Sequence, residues 1–343
     1  MNFSQRLGFE LVWSARMLAG DDSLFSDRIS ALERSVLATH EPAGRPLPVD
    51  EVDIADFDRR WFDAQHVCRR PLVIRGALRG TDLVERWDLP FFGDRYGDSQ
   101  VLVHGEAGQG KHLYDKDIVG IALRDFIGDL MANEGSRYMV AAVGLFDQHR
   151  ELLESLPVAR LEDLFGIRIS RPELFMGNGA NWSPWHSALA ENFFVQVEGH
   201  KHWSFVDPAW TAAMYPNYGW VSGPTAVQTT VERGRPGDFP MFALPQRYEC
   251  VVEPGDMIYN PPHWWHEVRN VGPSIGMPLR VRPRRSTRSP FLFVSKLQML
   301  HGLRSASWRK IIFDAMADEF LGRRLIDTRL SDSALQLTYA SRG

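Results

Sequence analysis

The chain has 343 residues, of which 44% are hydrophobic and 24% charged, with a formal net charge of -4. That balance excludes a disordered chain and gives no whole-protein electrostatic reason to expect nucleic acid or an anionic membrane as partner. The length admits about two or three domains, or one large β-rich domain with helical extensions.

In chain order, residues 3 to 38 alternate apolar and charged positions at helical spacing, with Leu7, Leu11, Met17, Leu18, Leu24, Ile29, Leu32 and Leu37 as the buried stripe, and predict two short helices. The opening stretch is broken by Arg6, Glu10 and Arg16, whereas a secretory signal needs an uninterrupted apolar region. No run approaches the ~18 consecutive apolar residues of a membrane span. Cys68 and Cys250 are the only cysteines, which gives neither a disulfide framework nor a CxxC pair. The expectation is a cytoplasmic protein without membrane contact, whose substrate is a small molecule or another protein.

Residues 41 to 48, EPAGRPLP, predict a linker that closes an N-terminal helical extension, 1–48. From 49 to 288 the texture is that of strands: PLVIRGAL, SQVLVHG, RYMVAAVG and NFFVQVEGHKHWSFVD are rich in Val, Ile and Phe and are separated by Gly, Pro and Asp. Two stretches inside this region, DIVGIALRDFIGDLM and DQHRELLESL, carry helical spacing. From 289 to 343 the helical period returns, with Leu297, Leu300, Leu303, Ile311, Ile312, Met316 and Phe320 placed for a packed helical pair. The order helix, many short strands, helix predicts a mainly β fold with flanking helices, a sandwich or barrel and not a doubly wound sheet. GEAGQGKH, residues 105 to 112, has the glycine and lysine spacing of a phosphate loop, but His112 stands where a Ser or Thr hydroxyl is required, so a Gly-rich turn is the better reading.

The chemistry-bearing segments are NWSPWHSALAENFFVQVEGHKHWSFVDP, 181 to 208, and EPGDMIYNPPHWWHEVRN, 253 to 270. Each sets a histidine beside a strand. Imidazole is a usual nitrogen ligand for iron, and two histidines with one carboxylate make the facial triad of non-haem Fe(II) oxygenases. Lys201 follows His186 after a strand and a glycine and can return to the same pocket with a positive charge for a dicarboxylate; its plain alternative is a solvated lysine at a strand end. Asn192 by itself reads as a turn residue at a strand start.

From about Asp53 to Val281 the chain resembles the JmjC and cupin-like oxygenase superfamily, most closely the group of the asparaginyl hydroxylase that acts on hypoxia-inducible factor. RRPLVIRGAL, Trp87 and FFGDRYGDSQVLV are similar to the family's entry strands. Trp185 to Pro208, with NFF, Q, G and K in register, then Tyr215 and Pro216, and finally EPGDMIYNPPHWWH carry the specific part. The resemblance implies a double-stranded β-helix, or jelly roll, binding Fe(II) and 2-oxoglutarate. On matching positions His186 and His266 become iron ligands, and Lys201 holds the distal carboxylate of 2-oxoglutarate, helped by Ser183 and Tyr138. Asn192 lines the pocket, and Arg280 is a second carboxylate contact. The C-terminal pair matches in position a dimerisation element, and its apolar stripe suits either a homodimer seam or packing on the roll.

The pattern breaks at Ala188, where the family carries Asp or Glu. A methyl group binds no metal. Three readings stay open: an oxygenase with two protein ligands, or with Glu191 or His263 as substitute; a halogenase, in which chloride takes the vacated coordination site; and a cupin-like binding protein without catalysis. His200 and His202 share the strand face opposite Lys201 and receive no metal role. Asp207 and Asp256 read as structural turn residues. The five arginines of RVRPRRSTR, 280 to 288, come without the interleaved aromatics of a nucleic-acid site, and the tryptophans near both histidines read as core.

Overall fold

The computed structural model describes residues 1–104, 118–132, 143–188, 191–217, 226–229, 231, 235 and 237–281. Helix α1 (Phe3–Ala19) opens at a capping box in which Asn2 and Gln5 exchange side-chain to backbone hydrogen bonds of 2.9 and 3.0 Å, and it ends at Gly20 in the left-handed region. Helix α2 (Ser26–Leu37) packs against it. Phe9 and Val36 are buried with Ala212, Ala213, Met241 and Leu244, so the N-terminal helices close over loops of the β region; this corrects the expected stripe, since Leu7, Leu11 and Leu18 are exposed and α1 buries the face of Gln5, Phe9 and Val12 instead. The end of the predicted linker belongs to the sheet, because β1 (Leu47–Pro48) runs parallel to a later strand.

β2 (Glu51–Asp53), α3 (Arg59–Gln65) and β3 (Leu72–Arg75) follow, with Leu72, Val73 and Ile74 fully buried. After α4 (Asp82–Arg86) and α5 (Leu89–Tyr96) comes a two-stranded ribbon, β4 (Gln100–His104) against β5 (Ile118–Ala122), and then α6 (Leu123–Met131). This corrects the helix expected over the whole of DIVGIALRDFIGDLM. Ile118, Val119 and Ile121 are β-branched and Gly120 is a poor helix former, so Ile118–Ala122 pair with β4 and the helix starts at Leu123. α7 (Val143–Gln148), α8 (Glu151–Glu154) and α9 (Val158–Phe165) complete the helices on this side.

The remaining strands are β6 (Ile169–Pro172), β7 (Phe175–Gly177), β8 (Trp182–Ala188), β9 (Glu191–Val206), β10 (Pro216–Asn217), β11 (Ala226–Thr229), β12 (Arg247–Val252), β13 (Met257–Asn260) and β14 (Trp265–Val281). One curled sheet runs in the order β10-β11-β8-β14-β9-β13-β3-β2, with β1, β6, β7 and β12 joining its flanks. The two longest strands, β9 and β14, lie antiparallel to each other, and each changes direction midway. β9 bends at Gly199, with φ of 67°, and β14 bends at Gly272, with φ of 86°, where the register shifts between Val271 and Ile275. The first half of β9 therefore pairs with β13, and its second half pairs with β12. This is the jelly roll expected from the resemblance. Val73, Phe194, Trp203, Phe205, Ile258 and Trp264 form an aromatic-rich cluster within it, apart from the larger core under the helices.

Gly199 is needed twice over. Its φ disfavours any side chain, and a Cβ there would lie 2.1 Å from the Pro273 carbonyl oxygen. Gly20 has the same backbone conformation but open space around it. Gly199→Ala is expected to cost about 3 kcal/mol or more and Gly20→Ala only about 1 kcal/mol. Thermal melts of the two variants check this, and equal Tm values would show that the β9 bend tolerates a side chain.

Candidate functional site

His186 lies in β8 and His266 at the start of β14, and the two are direct cross-strand partners. Both histidines are thus inside strands, not merely adjacent to them. Their ring centroids are 4.1 Å apart with planes tilted by 53°. In each case Nδ1 is bound to the backbone carbonyl two residues earlier: His186 to Pro184 at 2.7 Å, His266 to Trp264 at 2.9 Å. A carbonyl only accepts, so Nδ1 carries the proton and the lone pair sits on Nε2, the tautomer that a metal ligand requires. The His266 ring is held further by stacking on Trp203 at 5.8 Å, and the Asn260 amide nitrogen lies 3.2 Å from its Nε2, a hydrogen bond that a metal on that atom would replace.

Both histidines line a cavity that opens to solvent and is also lined by Ser183, Asn192, Lys201 and Asn270. Ser183 reaches this face through an irregularity: the pairing moves from His186 opposite His266 to Ser183 opposite Val268, which breaks the two-residue alternation. Asn192 is 6% exposed, and its Oδ1 has no hydrogen-bond partner among the described residues; the same holds for Nε1 of Trp203 in the cavity wall. Buried polar atoms of this kind are costly unless a ligand or water meets them.

Lys201 sits at the other end, on the second half of β9. Its ammonium donates to Oδ1 of Asn270, lies 5.9 Å from the Phe194 ring, and has no carboxylate partner among the described residues. Burial pulls its pKa down to about 7, so its charge is conditional and not permanent, as a solvated strand-end lysine's would be. Gly276 leaves the space for it: a Cβ there would meet Phe194 Cζ at 2.2 Å and Lys201 Cε at 3.0 Å.

Ala188 stands two residues after His186 on β8, and its carbonyl accepts from the His263 backbone N–H at 2.7 Å. Among the described residues no group of three or more His, Cys, Asp or Glu side chains could hold a metal. Glu191 opens β9 on the face opposite Asn192; it is fully buried, and its Oε1 accepts from the Tyr259 hydroxyl at 2.9 Å, on the helix side of the sheet. His263 is buried in the turn before β14 at φ of 67° and is not in the cavity wall. His202 faces away towards Glu249, and Asp207 and Asp256 cap turns: Asp207 accepts from Ala209, and Asp256 accepts from Gly76 and Glu253. Arg280 is on β14, opposite Asn192, and only its backbone is described. Tyr138, the 105–112 loop and the C-terminal pair lie outside the described residues.

Asn270 and Trp203 were not anticipated from sequence. Asn270 had a legible signal, since His266, Val268 and Asn270 alternate along one strand and so share a face.

The set of groups fits a ferrous ion and a keto-acid dicarboxylate: two imidazoles with lone pairs on Nε2, one buried ammonium with a neutral partner, and the Trp203 indole N–H, a donor without an acceptor among the described residues. No helix of the described residues is long and apolar enough to cross a membrane. The chain is 26% identical over 291 residues to Jumonji C domain-containing protein 5 of Drosophila melanogaster, covering 80% of this chain and 70% of that protein. It is 23% identical over 230 residues to tRNA wybutosine-synthesizing protein 5 of Gallus gallus, 62% and 70% of the two chains. With Lysine-specific demethylase 8 of Xenopus tropicalis it shares 25% over 226 residues, 59% of this chain and 46% of that one. The finer grouping with the asparaginyl hydroxylase is not addressed by these relatives. The family model for the cupin-like domain matches residues 59–279, and with the jelly roll and its paired histidines this makes the chain a member of the cupin-like domain family, related to JmjC proteins.

Proposed function

We propose that the chain is an Fe(II)/2-oxoglutarate-dependent oxygenase that hydroxylates a protein or small-molecule substrate. The observation that carries this reading is the pairing of His186 and His266, both in the Nε2 lone-pair tautomer, in one cavity with a buried lysine that lacks a carboxylate. His186 and His266 would hold the metal. Lys201 and the Ser183 hydroxyl would take the distal carboxylate of 2-oxoglutarate, with Tyr138 and Arg280 as further contacts, and Asn192 would meet the keto-acid end. Bound there, iron and 2-oxoglutarate supply the activation of dioxygen that hydroxylation needs. The chain itself orients the two imidazoles through backbone carbonyls, and walls off one end with Phe194, Trp203 and Val268. Relatives named for tRNA modification and for lysine demethylation differ in what they act on, so the substrate is not carried over from either.

Ala188 favours a second reading, in which chloride fills the coordination position that a carboxylate would take and the reaction is halogenation. A third, a binding protein without catalysis, predicts no chelate. Anaerobic titration with Fe(II) and 2-oxoglutarate, with and without chloride, separates the three. A visible charge-transfer band without halide supports the oxygenase, a band that requires halide supports the halogenase, and no band with no 2-oxoglutarate binding leaves the binding protein. His186→Ala or His266→Ala is expected to weaken metal binding by ~100-fold or more, given that loss of an outer partner alone costs 10–100-fold. Ala188→Asp is expected to tighten it.

Lys201 gives the pH dependence its sign. Burial lowers its pKa to about 7, so the cation is lost as pH rises through that value. With Mn(II) in place of Fe(II), affinity for 2-oxoglutarate is expected to fall from pH 6.5 to 8.5 by up to about tenfold per unit, while that for pyruvate, which lacks the distal carboxylate, stays level. A flat profile for both would remove Lys201 from the carboxylate site.

A further inference from the structure

We propose that Asn270 makes the lysine end of the cavity selective for a dicarboxylate, by holding the Lys201 ammonium without neutralising it; this rests on the 2-oxoglutarate reading above. Asn270 is the direct cross-strand partner of Lys201 on β14. Its Oδ1 accepts from Lys201 Nζ, and its Nδ2 donates to the Asn181 carbonyl at 3.3 Å. The Asn181 carbonyl can only accept, so it fixes the amide with nitrogen towards Asn181 and oxygen towards the lysine. Asn181 is itself braced: its N–H donates to the Asn178 carbonyl at 2.9 Å, and its Oδ1 accepts from the Asn178 N–H at 2.8 Å. Gly177 clears the space, since a Cβ there would lie 2.6 Å from Asn270 Nδ2.

An amide oxygen here satisfies one of the three ammonium donors and adds no charge. An aspartate of the same shape would make the same hydrogen bond and cancel the cation. The other groups near Lys201 are uncharged, the Phe194 ring, the open flank at Gly276 and the Ser183 hydroxyl of the same cavity, and the titratable side chains in the cavity wall are His186, His266 and Lys201, with no Asp or Glu among the described lining. A protonated Lys201 then finds its counter-charge in the ligand and not in the described lining. A keto-acid with a distal carboxylate supplies it, and one without does not.

The test compares 2-oxoglutarate with pyruvate on Mn(II)-loaded protein at pH 6.5, reading both dissociation constants by calorimetry. Wild type should prefer 2-oxoglutarate. Asn270→Asp should weaken 2-oxoglutarate by ~10–100-fold, the worth of a hydrogen bond to a charged group, and leave pyruvate within about twofold. Asn270→Ala, neutral but lacking the acceptor, should lose several-fold less of the preference. The assignment is overturned if Asn270→Asp keeps the wild-type preference, if it weakens both ligands alike, or if the Asp and Ala variants lose the preference equally. Wild type binding both ligands with equal affinity would overturn it while leaving keto-acid chelation standing, whereas wild type binding neither would overturn the 2-oxoglutarate reading and this assignment with it.

Discussion

The register between β8 and β14 is the constraint on which the site depends. It sets His186 directly opposite His266, and because side chains alternate along a strand, a slip of one residue would turn one imidazole to the far face. β14 is held against such a slip on several sides: it pairs with β8, with both halves of β9, and with β6 and β7. The glycine bends in β9 and β14 let the same two strands serve both ends of the roll. The histidine end and the lysine end of the cavity are therefore parts of one hydrogen-bonded ladder.

The two ends obey opposite electrostatic rules. At the histidine end, backbone carbonyls accept from the Nδ1–H of both imidazoles, which places the lone pair of each neutral ring on Nε2, towards a cation. At the lysine end a cation is buried beside an amide and a phenyl ring, leaving hydrogen-bond donors for an anion. A ligand that bridges a metal and a distant negative charge matches this polarity along its length, whereas a neutral or a wholly apolar molecule would leave both ends unsatisfied.

Much of this was legible in the sequence where chemistry and local pattern coincide. The histidines and Lys201 stand in segments with strand composition, and the family resemblance aligns them, so both the jelly roll and the convergence on one region were within reach. What was not legible is what depends on pairing between distant strands. Asn270 acquires its place because it lies opposite Lys201, sixty-nine residues away in the chain. Ser183 reaches the cavity through a break in alternation that no local rule announces. The segment Ile118–Ala122 carries the helical spacing of the residues that follow it, yet pairing with β4 makes it a strand. Glu191 follows the same lesson in reverse: it is a carboxylate near the site by sequence, but strand alternation sends it to the Tyr259 side of the sheet.

The turn that delivers His266 is tied to β8 through the backbone of residue 188, whose carbonyl takes the His263 N–H, and through the Ser187 hydroxyl, which donates to the His263 carbonyl at 3.0 Å. Neither tie involves the side chain of Ala188. Both ties would therefore survive a longer side chain at this position, so the turn that delivers His266 keeps its anchorage whatever residue 188 contributes.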